Sequence, residues 1–506
     1  MAASWTVNLE KISRVVNFGL PALTLVFFLA GYFSSFYFHF LTVFFLLMTL
    51  INIFYRRVQK DHALLTNFGW VAQGRYLLES IGPELRQYLF TTDTEERPFS
   101  RVERMEVYRK SKDIDASSAF GSQLEFDGSE YKLRHSMYPT LVAEAEPYAL
   151  TFGEERGLAE AYTITKPVMI SAMSYGSLGK NAVRALARGA RKAGIPMNTG
   201  EGGLPRYHLM EGCDLIFQMG TAKFGCRNED GSLHEGRLRE IARLPQVKMI
   251  EIKFSQGAKP GKGGLLPREK ITREIAELRG VPMDRDVISP PAHVECTDPD
   301  ATVRFIGRVQ DISELPVGIK FCLGREAEFR VLVRAMARHQ IFPDYIALDG
   351  AEGGTGAAPK SFMDDLGIPI LAALPAAHQI LKEEEVRDRL KLVAAGKLIN
   401  PGKQLIALSL GAQAVYTARG FMLALGCIQA LTCNRNTCPV GITTHNPALQ
   451  RGLDIEVKSE RVKNYVVNLV HDHYELLTSL GKRSFRELNE DNLLLPTAAG
   501  TGRGRP

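Results

Sequence analysis

Between Lys166 and Thr417 the chain passes through eight short apolar runs, each too brief to be a helix. They are Pro167–Ala172, Pro196–Asn198, Leu215–Met219, Met249–Phe254, Pro316–Phe321, Tyr345–Asp349, Leu392–Ala395 and Ala414–Thr417. Stretches of helical period lie between them, among them Leu178–Ala193, Glu326–His339, Ala376–Arg389 and Gly402–Leu410. Continuous apolar runs of this length suit strands buried on both faces. Eight of them, each followed by a helix, specify an α/β fold of the (β/α)8 TIM-barrel type. An open doubly wound sheet is the alternative, but no early G-x-G-x-x-G turn supports it.

The other constraint lies at the N-terminus. From Val15 to Tyr55 there is no Lys, Arg, Asp or Glu. A single membrane helix needs about 20 apolar residues, and this stretch is twice that, with a Ser34–Ser35 break in its middle. It reads as a transmembrane hairpin of helices Val15–Phe33 and Phe36–Tyr55. Lys11 and Arg14 precede it and Arg56, Arg57 and Lys60 follow, which places both ends and the barrel on the cytoplasmic side. A signal peptide has a shorter apolar core; a hydrophobic hairpin buried in an oligomer is the remaining alternative. The expected organisation is a cytoplasmic N-terminus (1–14), the hairpin (15–57), a mixed helical and loop region (58–150), the barrel (151–455), then C-terminal helices and a disordered tail (456–506). A net charge of +6 with no dense basic stripe gives no support to nucleic-acid binding.

Barrel enzymes carry their chemistry at the C-terminal ends of the strands, and the unusual sequences here fall there. Ser171–Leu178 is made of small residues that allow close approach of a flat ligand. Asn198–Gly203 (NTGEGG) offers one carboxylate, Glu201, where a plain turn is the alternative. Gln256–Gly264 (QGAKPGKGG) brings backbone N–H groups together with Lys259 and Lys262, and Arg279 adds a donor suited to a carboxylate. Asp349–Pro359 (DGAEGGTGAAP) has the glycine density of an anion cradle. Lys320, inside an apolar strand, is costly unless paired. Cys427-x5-Cys433-x4-Cys438 is close enough for one loop to wrap an iron–sulfur cluster, and three thiolates suit [3Fe–4S]. A zinc site completed by His445, or three unligated cysteines, are the alternatives.

NTGEGG, QGAKPGKGG, ISPP (Ile288–Pro291), GGTGAAP and ALGCIQALTCNRNTCPVGITTHNP occur in the order found in glutamate synthases, and the chain resembles the FMN-binding synthase domain of that family from about Ser171 to Pro447. The resemblance implies an oxidoreductase with FMN and a [3Fe–4S] cluster that reduces 2-iminoglutarate, formed from 2-oxoglutarate and ammonia, to L-glutamate. It implies Cys427, Cys433 and Cys438 as cluster ligands, Gln256, Lys259 and Arg279 as contacts to the substrate carboxylates, and Glu201 or Lys259 as proton handler. Lys320 would face the flavin edge. Ser174, Asn198, Asp349, Gly353, Gly354, Thr355, Gly356 and Gly396 would complete the cofactor site. Neither a glutaminase segment nor an NAD(P)H fingerprint resembles anything here, so a ferredoxin-like or other electron donor protein is expected, with a separate glutaminase as one source of ammonia. The alternatives are action on a related amino or imino acid, such as an N-methylated one, or a redox subunit of a larger complex.

Overall fold

In the computed structural model residues 2–115, 117–124, 126 and 128–496 are described. The tail expected to be disordered, 498–506, lies outside them. The chain divides into two compact units at Arg101 and Val102.

The first unit is built on two antiparallel apolar helices, Ala2–Phe33 and Phe38–Ile53, joined by a turn at Ser34–Tyr37. Two segments, Lys11–Phe33 and Phe38–Val58, are long and apolar enough to cross a membrane, with mean hydropathy 1.8 and 1.9. Their outer faces are covered by nothing in the unit: Phe18, Phe28, Phe40, Phe44 and Leu47 are all more than half exposed. Between the helices Phe27 stacks on Phe45 at 5.3 Å. Asn52 Nδ2 donates to Asn17 Oδ1 at 2.8 Å, a polar contact that fixes the helices in register.

The second unit is the barrel. Its strands are β1 (Val168–Ile170), β2 (Met197–Asn198), β3 (Leu215–Met219), β4 (Val247–Lys253), β5 (Val317–Phe321), β6 (Tyr345–Asp349), β7 (Lys391–Ala395) and β8 (Ala414–Thr417). They pair in parallel in sequence order, and β8 closes on β1 through Val415 opposite Val168 and Thr417 opposite Ile170. All eight apolar runs are therefore barrel strands. The core between strands and helices is aliphatic: Ile250, Ile252, Val317, Ile319, Ile346 and Leu392 are fully buried. Helix Ile370–Glu383 begins six residues earlier than the pattern after Pro375 suggests, because the Glu352 carboxylate accepts from the Ile370 N–H and holds the extra turn.

A short antiparallel hairpin, Leu150–Phe152 with Tyr162–Ile164, closes the N-terminal end of the barrel. Phe152 packs edge-on against Tyr345, the first residue of β6, at 5.3 Å. The opposite end, where the strands finish, is left to the long loops. Helix Ile455–Ser479 lies along helix Lys180–Ala193 so closely that a Cβ on Gly189 would meet Val462 at 2.5 Å.

Candidate active site

The C-terminal ends of β4 and β5 place two lysines side by side, since Lys253 and Lys320 are register partners. Both are buried, where an ammonium without a carboxylate partner is costly. Each has one, from the β2 loop and from the end of β6: Lys253 Nζ lies 3.0 Å from Glu201 Oε1, and Lys320 Nζ 3.6 Å from Asp349 Oδ2. Lys320 also sits 5.7 Å from the centroid of the Tyr416 ring. Lys253 was missed by the sequence reading, although the argument that singled out Lys320, a lysine within an apolar strand, applies to it equally.

Glu201 is the meeting point of three cations. Burial alone would raise its pKa, but Lys253, with Lys259 and Arg279 further off, holds it below the ordinary carboxylate value. It is seated between two glycines: a Cβ on Gly264 would lie 2.5 Å from Glu201 Oε1 and one on Gly220 2.6 Å from Oε2. Gln256 Oε1 accepts from Lys253 Nζ at 2.6 Å. Burial draws Lys259 down to about 8 and Arg279 to about 10, with Glu201 opposing both shifts. Arg279 Nη2 donates to Tyr175 O at 2.7 Å, while its Nε is buried with no hydrogen-bond partner. A buried guanidinium donor without a partner, on a side chain that feels the Glu201 carboxylate, is suited to an anionic ligand.

The loops that carry these groups are locked together by glycine. Gly257 N donates to Asp349 Oδ2 at 3.1 Å, and a Cβ on Gly257 would fall 1.7 Å from Gly350 O. Lys259 Nζ donates to Ala357 O at 2.9 Å. The β4 loop thus lies on the β6 loop, across the end of β5. On the other side, a Cβ on Gly200 would sit 2.5 Å from Ser174 N, so the β1 and β2 loops touch as well. Gly353, Gly354, Thr355 and Gly356 follow Asp349 on the β6 loop. A Cβ on Gly354 would crowd the half-buried Arg419 at 2.7 Å, and Gly396 after β7 has φ +145° and faces Ile370 and Glu352. The expected site residues, apart from the cysteines, therefore fall on the ends and loops of β1, β2 and β4–β7.

Beneath them is a group that sequence reading missed. Glu251, fully buried inside the barrel, accepts from Asn198 Nδ2 at 2.9 Å, Gln218 Nε2 at 2.6 Å and Tyr345 OH at 3.2 Å. Asn198 in turn accepts from Gly200 N at 3.0 Å. A carboxylate in the barrel core thereby fixes the start of the NTGEGG loop and the position from which Glu201 projects. Nothing in a single strand MIEIKF announces which face its acidic residue takes.

Cys427, Cys433 and Cys438 line one small cavity whose remaining walls are largely apolar, including Met422, Ile428, Leu431 and Ile442. None forms a disulfide. His445 does not line that cavity; its Nε2 faces Gly176 O at 3.0 Å. Burial pushes the Cys427 thiol up to about 11, and Cys433 moves the same way, so these sulfurs would need a bound metal to be held as thiolates. The donor set fits a three-thiolate cluster. Buried Lys270, also missed, donates to both Cys433 O and Ser177 O and so ties the cysteine loop to the β1 loop. Tyr108 OH secures the other end through Cys427 O at 2.6 Å.

The conserved region in glutamate synthase matches residues 104–483. The glutamate synthase large subunit-like protein YerD of Bacillus subtilis is 38% identical over 465 residues, covering 84% of this chain and 88% of that protein. The chain belongs to the glutamate synthase family. It is an oxidoreductase of that family. The archaeal-type glutamate synthase [NADPH] of Thermotoga maritima is 36% identical over 340 residues, and the match spans 67% of this chain but 64% of that protein. Among solved structures, the flavin-binding domain of baker's yeast flavocytochrome b2 is similar at TM-score 0.47 and 16% identity, covering 80% of this chain and 82% of that one. A likeness at that level carries no argument about chemistry.

Proposed function

We propose that this chain is a membrane-anchored, FMN- and [3Fe–4S]-dependent enzyme that reduces 2-iminoglutarate, formed from 2-oxoglutarate and ammonia, to L-glutamate. The observation that carries the reading is the charge balance at the strand ends, where one carboxylate, Glu201, faces Lys253, Lys259 and Arg279. Three cations against one anion leave a net charge of about +2, the complement of a dicarboxylate. Arg279, with its open Nε, and Lys259 would hold the two carboxylates, and Gln256 would orient the reacting carbon. Glu201 or Lys259 would hold the proton that the product amine requires.

Ser174, Asn198, Asp349, Lys320, Gly396 and the Gly353–Gly356 segment would hold FMN, and the three cysteines the cluster. Bound there, FMN would supply hydride chemistry and the cluster a one-electron relay. Lys320, paired with Asp349, would place positive charge near the isoalloxazine edge. Family membership and the glycine-lined strand ends support this cofactor pair.

Electrons would come from a separate carrier protein. Beside the cysteine loop, a Cβ on Gly426 would meet Lys458 Nζ at 3.0 Å and Arg461 Nη1 at 3.8 Å, and Lys458 feels the charge of Lys112 with Asp454 opposing. None of the three forms an ion pair among the described residues, which suits an acidic donor such as a ferredoxin. The two apolar helices would span the bilayer with the barrel in the cytoplasm.

The test is anaerobic: chemically reduced, detergent-solubilised protein is mixed with 2-oxoglutarate and ammonium while flavin absorbance is followed. Reoxidation with glutamate appearing is the expected result. A flavin that stays reduced with these substrates but is reoxidised by another imino acid would move the activity to that acid.

A further inference from the structure

The first unit carries an amphipathic surface that the two apolar spans do not use. Helix Gln73–Leu85 runs on through a π-helical turn, Arg86–Phe90, and neither segment has a buried residue. Its apolar side chains are open: Leu77 and Leu78 are each 62% exposed, Tyr88 53% and Leu89 69%. At 100° per residue, Leu77, Leu78, Ile81 and Leu85 of the α-helical part fall within one arc of about 100°, and the π-helical turn adds the exposed Tyr88 and Leu89. Arg75, Glu79 and Arg86 gather on a different side of the same helix. An exposed stripe this regular marks a surface that is covered in use.

Where the helix starts identifies what covers it. Ser13 Oγ, on the first apolar helix, donates to Phe68 O at 3.0 Å. Trp70 N donates to Asn52 Oδ1, on the second, at 2.9 Å. Gly69 lies between them so tightly that a Cβ would meet Asn52 Oδ1 at 2.1 Å. Residues 68–70 are thus fastened to both helices near the ends marked by Arg14, Arg56 and Arg57. If the two helices span a bilayer, that level is the membrane–water boundary, and the amphipathic helix begins there.

We infer that Gln73–Phe90 is an interfacial helix that seats its Leu77, Leu78, Ile81, Tyr88 and Leu89 stripe in the headgroup–acyl boundary of the cytoplasmic leaflet. Basic residues at 56, 57, 60, 75 and 86 against acidic ones at 61, 79 and 84 favour an anionic leaflet. The inference rests on the membrane-spanning reading of the hairpin, and the experiment separates the two.

The full chain is reconstituted in nanodiscs of zwitterionic and anionic phosphatidyl lipids, with the photo-crosslinker p-benzoylphenylalanine in place of Leu47, Leu78, Leu89 or Glu79 in turn. Leu47 is 54% exposed on the second span and reports spanning itself. The expected result is lipid adduct at Leu78 and Leu89 comparable to that at Leu47, with Glu79 at background. Lipid adduct at Leu47 but only background at Leu78 and Leu89 overturns the interfacial helix and leaves the hairpin in the membrane. Background at all four positions overturns both. Chain-to-chain adducts at Leu78 in place of lipid would make the stripe a contact between copies and overturn the assignment.

Discussion

Replacing Lys253 by Met strips Glu201 of the cation 3.0 Å away and leaves its carboxylate in the barrel mouth. The two side chains are only 9% and 19% exposed, so water screens the pair little. Breaking one side of a buried pair costs about 3–5 kcal/mol. For a unit of about 400 residues the unfolding entropy is about 0.8 kcal/mol per degree, so the Tm should drop by about 4–6 °C. The drop should depend on pH in a defined direction. In the native chain Glu201 is held low, so its ionisation stabilises the fold above the unfolded carboxylate value and ceases to do so as pH falls through the folded one. In the variant, burial dominates and raises the group. The penalty is then greatest at alkaline pH and shrinks on acidification, because protonated Glu201 needs no partner. Calorimetry at pH 8.5 and 5.5 on Lys253→Met, Glu201→Gln and the double variant measures this, and the double should recover most of the loss. A pH-independent drop, or a double variant no more stable than Lys253→Met, would refute the electrostatic reasoning.

Three further expectations concern separate parts of the site. Cys433→Ser should lose bound iron while circular dichroism shows an intact barrel; undiminished iron would remove Cys433 from the ligand set. Burial sets Lys259 near 8, so it is charged below that pH, and the KM for an anionic substrate should rise as pH passes through about 8. Lys259→Arg should flatten that rise, and a wild-type KM flat from pH 6.5 to 9.5 would exclude Lys259 from carboxylate binding. Gly257→Ala should force the β4 and β6 loops apart, since its Cβ would lie 1.7 Å from Gly350 O, costing about 1–3 kcal/mol. Gly324→Ala, with nothing within 4 Å, is the control, and equal melting curves for the two variants would show that the loops do not depend on that contact.

The sequence alone determined the barrel, because strands buried on both faces leave continuous apolar runs, and eight such runs separated by helical period admit few architectures. It also marked the loops that finish the strands, since Glu201, Lys259 and the three cysteines sit in segments whose glycine density or spacing has no use in a packed core. What it could not show was pairing across the barrel. Lys253 and Lys320 become neighbours only through the β4–β5 register, and their carboxylates arrive from a loop 52 residues before the one and from the end of β6, 29 after the other. Glu251 collects donors from three other strands, which closure alone brings to one point. The cysteine spacing was legible, yet Lys270, which joins that loop to the β1 loop, lies 163 residues from Cys433. Local pattern fixes which elements form, because burial of one strand or helix face is a local property. Which charges meet is decided by closure of the sheet, because a buried ion pair is held in place by strands distant in sequence.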